Sequence, residues 1–246
     1  AYKAAGLCSH LVKAGAVVDV ILTQAAREFI TPLTFQALTH RPVVTEMFTL
    51  LAETEIGHVS LARRADLMII APATANTIAK LAVGLADNML TTTALATEAP
   101  ILLAPAMESH MWSNPITQDN LERLGRLRGR LGRLVLVGPR EGRLASGASG
   151  MGRMAEPEEI LDAARWIMGR HGPFSGRRVL VTAGGTREPL DPIRLLGNRS
   201  SGQMGYALAY AARDRGAQVT LISTTGQSVP FGVELVPVET AAEMQD

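Results

Sequence analysis

A doubly wound, parallel-sheet α/β architecture is predicted by three observations: β-branched runs of strand length, helix-compatible stretches between them, and small, proline-containing loops where the runs end. A strand that reads as a continuous apolar run, not an alternating one, is the kind buried on both faces of a parallel sheet. The 246 residues are 47% hydrophobic and 19% charged, which allows a sizeable core and exceeds one average domain. Two units, the second of them incomplete, are expected.

The elements follow in order. Leu7, Leu11 and Val12 recur at helical spacing up to Gly15, which suits a helix stop, so the chain is expected to open inside a helix. Ala16 to Thr23 then reads as a strand buried on both faces. A helix entering such a strand implies an earlier strand ahead of Ala1. Further strands are expected at Leu67–Ala71, Ile101–Ala104 and Leu134–Val137, with Thr74–Leu85 helical between the first two. Pro157–Gly169 reads as a helix, and the turn-rich His171–Gly176 is expected to close the first domain, 1–172, ahead of a second, 173–246. There, a strand at Val179–Thr182 precedes a helix at Tyr206–Arg213. The passage Arg215–Ser223 then repeats the helix-to-glycine-to-strand grammar of Ala14–Leu22. Thr240 to Asp246 reads as an unfinished helix, so both ends are expected to be cut.

Composition narrows the partners. A net charge of +1 and 4% aromatic residues provide neither a basic face nor a stacking platform for nucleic acid. Cys8 is the single cysteine, so no intramolecular disulfide forms and a reducing, cytoplasmic setting fits. Apolar stretches are interrupted before a membrane span is reached, and no metal-ligand cluster is expected. Small molecules remain, and in doubly wound sheets they sit beyond the carboxyl ends of the strands. Those ends read Thr23-Gln24, Ala71-Pro72-Ala73-Thr74-Ala75-Asn76 and Ala104-Pro105-Ala106-Met107.

In the second unit, Thr182-Ala183-Gly184-Gly185-Thr186 follows a strand and offers the backbone freedom and free N–H groups that cradle phosphate oxygens. Asp191-Pro192 and Asn198-Arg199-Ser200-Ser201-Gly202-Gln203-Met204-Gly205 come next, the latter leading into a helix whose N-terminus attracts anions. Together these segments resemble the signature of phosphopantothenate–cysteine ligase domains. Upstream, Gly57-His58-Val59-Ser60-Leu61-Ala62, the Ala71–Lys80 segment and Pro105-Ala106-Met107 with Met111-Trp112 resemble the flavin-dependent cysteine decarboxylases. In this order the two resemble the bifunctional phosphopantothenoylcysteine decarboxylase/phosphopantothenate–cysteine ligases of coenzyme A biosynthesis, over essentially the whole chain.

The resemblance implies a flavodoxin-like domain followed by the start of a Rossmann-like one. It implies CTP-dependent ligation of cysteine to phosphopantothenate, with Mg2+ accompanying CTP, and FMN-dependent decarboxylation of phosphopantothenoylcysteine. Decarboxylase domains are expected as trimers and ligase domains as dimers. His58 matches the family's catalytic histidine. Thr23, Thr74, Asn76, Thr91, Thr92, Thr93, Ala106 and Met107 match FMN-binding segments, although some of these threonines serve equally well as caps after Asp87-Asn88, and Met107 as simple core. Met111, Gly184, Gly185, Asp191, Ser200, Ser201 and Gly202 are expected at substrate or nucleotide, and Asn198 at the acyl-cytidylate. The phosphate loop after the first strand, and the lysine-bearing segments of the CTP site, are expected outside the chain, so ligation by this segment alone is not expected.

The chain departs from the family at two positions. Glu108 stands where an asparagine is usual, and Ser146, within the Leu144–Met154 stretch that resembles the family's flap, stands where a cysteine often sits. A thiol of pKa about 8.5 donates a proton far more readily than a serine hydroxyl, so the last, reductive half of the decarboxylase reaction is where these changes bear. Glu108 and Ser146 are accordingly candidate proton donors. Two alternatives share the fold: another flavin-dependent decarboxylase, against which the ligase segments argue, and a non-catalytic regulatory flavoprotein.

Overall fold

A computed structural model describes residues 1–47, 57–129 and 134–245. The chain divides into two compact units, Ala1–Leu161 and Asp162–Asp246.

The first unit opens on α1 (Tyr2–Lys13), and its buried Lys3 donates from Nζ to the Met154 carbonyl at 2.5 Å and the Glu156 carboxylate at 3.1 Å. An ammonium so partnered can be buried without an orphaned charge. Then come β1 (Val20–Ile21), α2 (Gln24–Arg27), α3 (Pro32–Thr39) and β2 (Val43–Val44), with β1 and β2 paired in parallel. The Ala16–Thr23 run is therefore a strand only at its centre, and Val17 is 77% exposed. Burial on both faces, expected from the run, is not what the structure shows, because β2 is its single strand neighbour among the described residues.

After α4 (Gly57–Arg64), the elements β3 (Met68–Ala73), α5 (Ala75–Val83), α6 (Met89–Ala96), β4 (Ile101–Pro105), α7 (Ser109–Trp112), α8 (Pro115–Gly129) and β5 (Leu134–Leu136) build the main layer. β4 lies between β3 and β5, all parallel, and Ile101, Leu102, Leu103 and Ala104 are each at most 1% exposed. This is the doubly buried strand that a continuous apolar run predicts. The core beside it joins Ile70, Ile78, Ala82, Ala94, Leu103 and Leu124. β6 (Arg140–Arg143) and β7 (Ser149–Arg153) form an antiparallel hairpin across the segment expected as a flap. Among the described residues the parallel strands of this unit stand as two separate sheets, β1-β2 and β3-β4-β5. Gly125 sits exposed in the middle of α8, with open space where a Cβ would go. Gly125→Ala should raise stability by about 0.5–1 kcal/mol through helix propensity alone, read as a shift of the denaturation midpoint.

α9 (Pro157–Gly169) runs across the border between the units. In the second, β8 (Arg178–Ala183), β9 (Arg187–Pro189), β10 (Leu195–Gly197), α10 (Gln203–Arg213), β11 (Gln218–Ser223), β12 (Glu234–Pro237) and α11 (Ala241–Gln245) follow. The sheet is parallel in the order β12-β11-β8, with α10 packed on it through Tyr206, Ala209, Val181, Ala183, Val219 and Leu221. Arg213 is 1% exposed and is held by Asp162 at 2.8 Å, Asp214 and the Phe231 carbonyl at 2.9 Å. Removing either carboxylate would leave a buried cation short of a partner, which is costly. Among the described residues no helix is long and apolar enough to cross a membrane.

Candidate functional site

In the first unit, the loops after β3 and β4 are joined by a hydrogen bond from the Ala106 N–H to the Ala73 carbonyl, 3.1 Å. Thr74 caps α5, its hydroxyl accepting from the Thr77 N–H at 3.3 Å, and both Thr74 and Asn76 are exposed at this edge. One residue past Ala106, the Met107 N–H donates to the Gly152 carbonyl at 3.0 Å and so ties the hairpin to the same edge. Gly152 has φ +149, and a Cβ there would run into the Met107 carbonyl, so the close approach requires glycine. Glu108 occupies the N-cap position of α7 without capping it, and its carboxylate accepts instead from the Ser146 hydroxyl at 3.2 Å. Thr74, Asn76, Ala106, Glu108 and Ser146 thus meet on one edge. Met107 packs its side chain on the core, and Met111 is 48% exposed on α7.

Thr23 caps α2, accepting from the Ala26 N–H at 3.2 Å, and lines a cavity of about 390 Å³ beyond β1 and β2. Arg27, Asp87 and Asn88 line it too, and none of these three was singled out from sequence. The signal was present in Asp87-Asn88 ahead of the threonines. Lys80 lies 2.6 Å from Asp87, and that hydrogen bond holds the Asp87 carboxyl below its ordinary range, ionised at neutral pH. The three threonines divide between the two uses expected of them. Thr91 completes a capping box with Asn88, and Thr93 donates to the Met89 carbonyl at 2.8 Å; both are 3% exposed. Their hydroxyls serve α6 itself. Thr92 donates to the Ala86 carbonyl at 3.3 Å and is half-buried.

His58 is the second residue of α4, and its Nδ1 is buried with no hydrogen-bond partner among the described residues; the Ser109 hydroxyl at the start of α7 is in the same state. Buried polar atoms are normally bonded, and leaving one unmade costs about 1–3 kcal/mol. Such orphans mark places where a ligand's polar atoms complete the set. His58 is the position that the sequence resemblance expects to be catalytic, whereas Ser109 is not among the residues expected at the site.

In the second unit, Gly184 turns away from β8 at φ +97, and a Cβ there would strike the Thr224 hydroxyl. Built on Gly185, a Cβ would lie 3.0 Å from the Asn198 carbonyl and 3.5 Å from the Ser200 Cβ, and on Gly202, 3.2 Å from the Gly184 nitrogen. The structure therefore brings Gly184, Gly185, Asn198, Ser200 and Gly202 together at the start of α10, which carries no side-chain cap among the described residues and turns its first N–H groups toward them. The Ser201 carbonyl accepts from the Gln227 side chain beside them. Asp191 stands elsewhere: it closes the β9–β10 turn, accepting from the backbone of Ile193 at 2.9 Å and Arg194 at 2.7 Å and from the Arg194 side chain. Those backbone bonds, with the Arg194 contact, keep its carboxyl below the ordinary range. The Asp191 carboxylate, expected at substrate, thus accepts its hydrogen bonds from within this turn.

Parallel sheets with polar loops clustered at their carboxyl edges place the chain among the α/β proteins, a class whose ligands sit beyond those edges. Residues 1–168 match the Flavoprotein family and residues 174–246 the DNA/pantothenate metabolism flavoprotein C-terminal domain. The chain belongs to the Flavoprotein family. Over its whole length it is 46% identical, across 252 aligned residues, to the coenzyme A biosynthesis bifunctional protein CoaBC of Mycobacterium tuberculosis strain H37Rv, and spans 59% of that protein. It is likewise 46% identical, across 249 residues, to CoaBC of Bacillus subtilis strain 168, spanning 60% of it. Among solved structures, a PPC decarboxylase mutant complexed with pantothenoylaminoethenethiol is similar at a TM-score of 0.57 and 34% identity, covering 66% of this chain and 88% of that one. The FMN binding protein AtHal3 gives 0.55 and 34%, covering 66% and 87%. The chain spans about three fifths of the length of the curated relatives it matches.

Proposed function

We propose that this chain carries the FMN-dependent phosphopantothenoylcysteine decarboxylase domain and the leading part of the CTP-dependent phosphopantothenate–cysteine ligase domain of a bifunctional coenzyme A enzyme. The observation that carries the reading is the orphaned His58 Nδ1 at the start of α4, in a fold shared with a PPC decarboxylase. Thr23, with Arg27 and Asn88 around its cavity, and Thr74, Asn76 and Ala106 at the β3–β4 edge offer the hydroxyl, amide and backbone donors that FMN takes up. The bonds left unmade by the buried His58 Nδ1 and the Ser109 hydroxyl are what a site built for a substrate leaves open. Bound there, FMN supplies a hydride acceptor for the thiol-bearing carbon, and so the electron sink that loss of CO2 requires. His58 takes a proton in that half of the reaction, the general-base role to which an imidazole is suited. Hairpin β6–β7 limits water at the edge, and Glu108 and Ser146 face the carbon that loses CO2.

In the second unit, Gly184, Gly185, Ser200, Ser201 and Gly202 frame phosphate oxygens against the start of α10, with CTP and its Mg2+ as the nucleotide. Asn198 holds the acyl-cytidylate. The assembly matches, by family resemblance, trimeric decarboxylase and dimeric ligase domains. The test is the full-length protein with FMN and phosphopantothenoylcysteine: CO2 release with bound flavin supports the reading, and its absence sinks it. For the ligase half, Asn198→Asp should slow CTP-dependent joining of cysteine to phosphopantothenate about 10–100-fold. An acid cannot donate the hydrogen bond an amide supplies, and bonds to charged groups carry about 1.5–3 kcal/mol. An unchanged rate removes Asn198 from the site.

A further inference from the structure

A hydroxyl alone is a poor acid, because donating its proton leaves an alkoxide; hydrogen-bonded to a carboxyl it need never become one. The Ser146 hydroxyl sits at the tip of hairpin β6–β7 and lies 3.2 Å from Oε2 of Glu108, at the N-cap position of α7. Both ends of this contact are held. On the hairpin, the Ala148 N–H donates to the Ser146 hydroxyl at 3.4 Å, and the Gly152 carbonyl accepts from Met107. On α7, no side-chain bond to the helix start occupies the Glu108 carboxylate. Gly150 lies against the Ser109 side chain, where a Cβ would press on its hydroxyl, so the hairpin packs closely over α7.

We propose that Ser146 and Glu108 work as a single proton-delivering pair, Ser146 donating to the substrate carbon and Glu108 replacing that proton through the 3.2 Å contact. In the resting pair the hydroxyl donates to the carboxylate. When the carboxyl takes up a proton from solvent, the same contact runs the other way and frees the hydroxyl for a third atom. The step balances. The enethiolate left after CO2 departs has the bonding N–CH=CH–S⁻. Its nitrogen-bearing carbon gains the hydroxyl proton, the Ser146 oxygen gains the carboxyl proton, and Glu108 is left as carboxylate while the substrate becomes a thioaldehyde. No electrons enter or leave in this step. Ser146 is the catalytic residue and Glu108 a positioning residue that acts through it. The inference rests on the decarboxylase reading, and one relative with serine in place of a cysteine is described as holding pantothenoylaminoethenethiol, the compound left when this proton does not arrive.

The experiment uses full-length protein and reads FMN affinity by titration, CO2 release, and the mass of the product. Failure of the wild type to bind FMN or release CO2 would overturn the decarboxylase reading itself. With those in place, Ser146→Ala and Glu108→Gln should each keep FMN affinity and the first release of CO2, yet lower formation of saturated product at least about tenfold and accumulate the aminoenethiol. The double variant should be no slower than the slower single one, because one path is lost once. Ser146→Cys should restore completion even with Glu108→Gln present, since a thiol of pKa about 8.5 donates unaided. A double variant slowed by the product of the two single effects, or saturated product at wild-type rate from either single variant, or no rescue by cysteine, would overturn the pair.

Discussion

His58→Asn should abolish CO2 release from phosphopantothenoylcysteine, by about 10²–10⁴-fold, while FMN stays bound. Asparagine retains a polar atom near the place of the buried Nδ1, but it cannot accept a proton at neutral pH. His58 occupies the first turn of α4, a helix tied to α6 by the bond from the Thr97 hydroxyl to the Ala62 carbonyl at 3.0 Å. The groups proposed to hold flavin come from other elements: Thr23 from the start of α2, Thr74 from the cap of α5, Ala106 from the end of β4. Retention of flavin together with loss of turnover is therefore expected. Absorbance of the purified variant and evolved CO2 check it. A folded but colourless protein would move His58 from proton transfer to flavin binding, and undiminished CO2 release would remove it from the site.

The apolar runs were legible where burial alone fixes structure. Ile101–Ala104 reads as a doubly buried strand and is one, and Thr74, read at a strand end, caps the next helix there. Ala16–Thr23 carries the same composition yet is strand only at Val20–Ile21, since composition reports suitability for burial and the presence of neighbours decides it. The residues expected at the sites fall together in blocks, while the use each makes of its polar group was not legible singly. A threonine near a ligand edge has two uses for its hydroxyl, and Thr91 and Thr93 spend theirs on α6, whereas Thr23 caps α2 and still lines a cavity. Asp191 is ambiguous for a related reason: an acid two residues ahead of Ile193 makes an Asx turn, as it does here, as readily as a ligand contact. The pairing of Ser146 with Glu108, 38 positions apart, could not be read from spacing at all.

The second large effect concerns Gly205, where stability and the nucleotide site depend on the same clearance. Gly205 lies in the first turn of α10 and is buried against β8. A Cβ there would stand 2.6 Å from the Ala183 Cβ, 2.7 Å from the Thr182 carbonyl oxygen and 3.0 Å from the Ala183 Cα. Two of these atoms are backbone in a paired strand, so the strand cannot yield and the helix must lift. Gly205→Ala should therefore destabilise this unit by about 1–3 kcal/mol even though alanine is the better helix former, because overpacking outweighs a propensity gain of about 1 kcal/mol. Gly226→Ala, in open space within the same unit, is the control and should stay within about 0.5 kcal/mol of wild type. Hydrogen exchange of α10 and β8 peptides in the full-length protein measures both. Lifting α10 also moves its first N–H groups away from Gly184, Asn198 and Ser200, so CTP affinity should fall in Gly205→Ala and hold in Gly226→Ala. Equal protection of α10 in the two variants would mean that the helix start accommodates a methyl group. Lost protection with CTP affinity intact would place the nucleotide somewhere other than the start of α10.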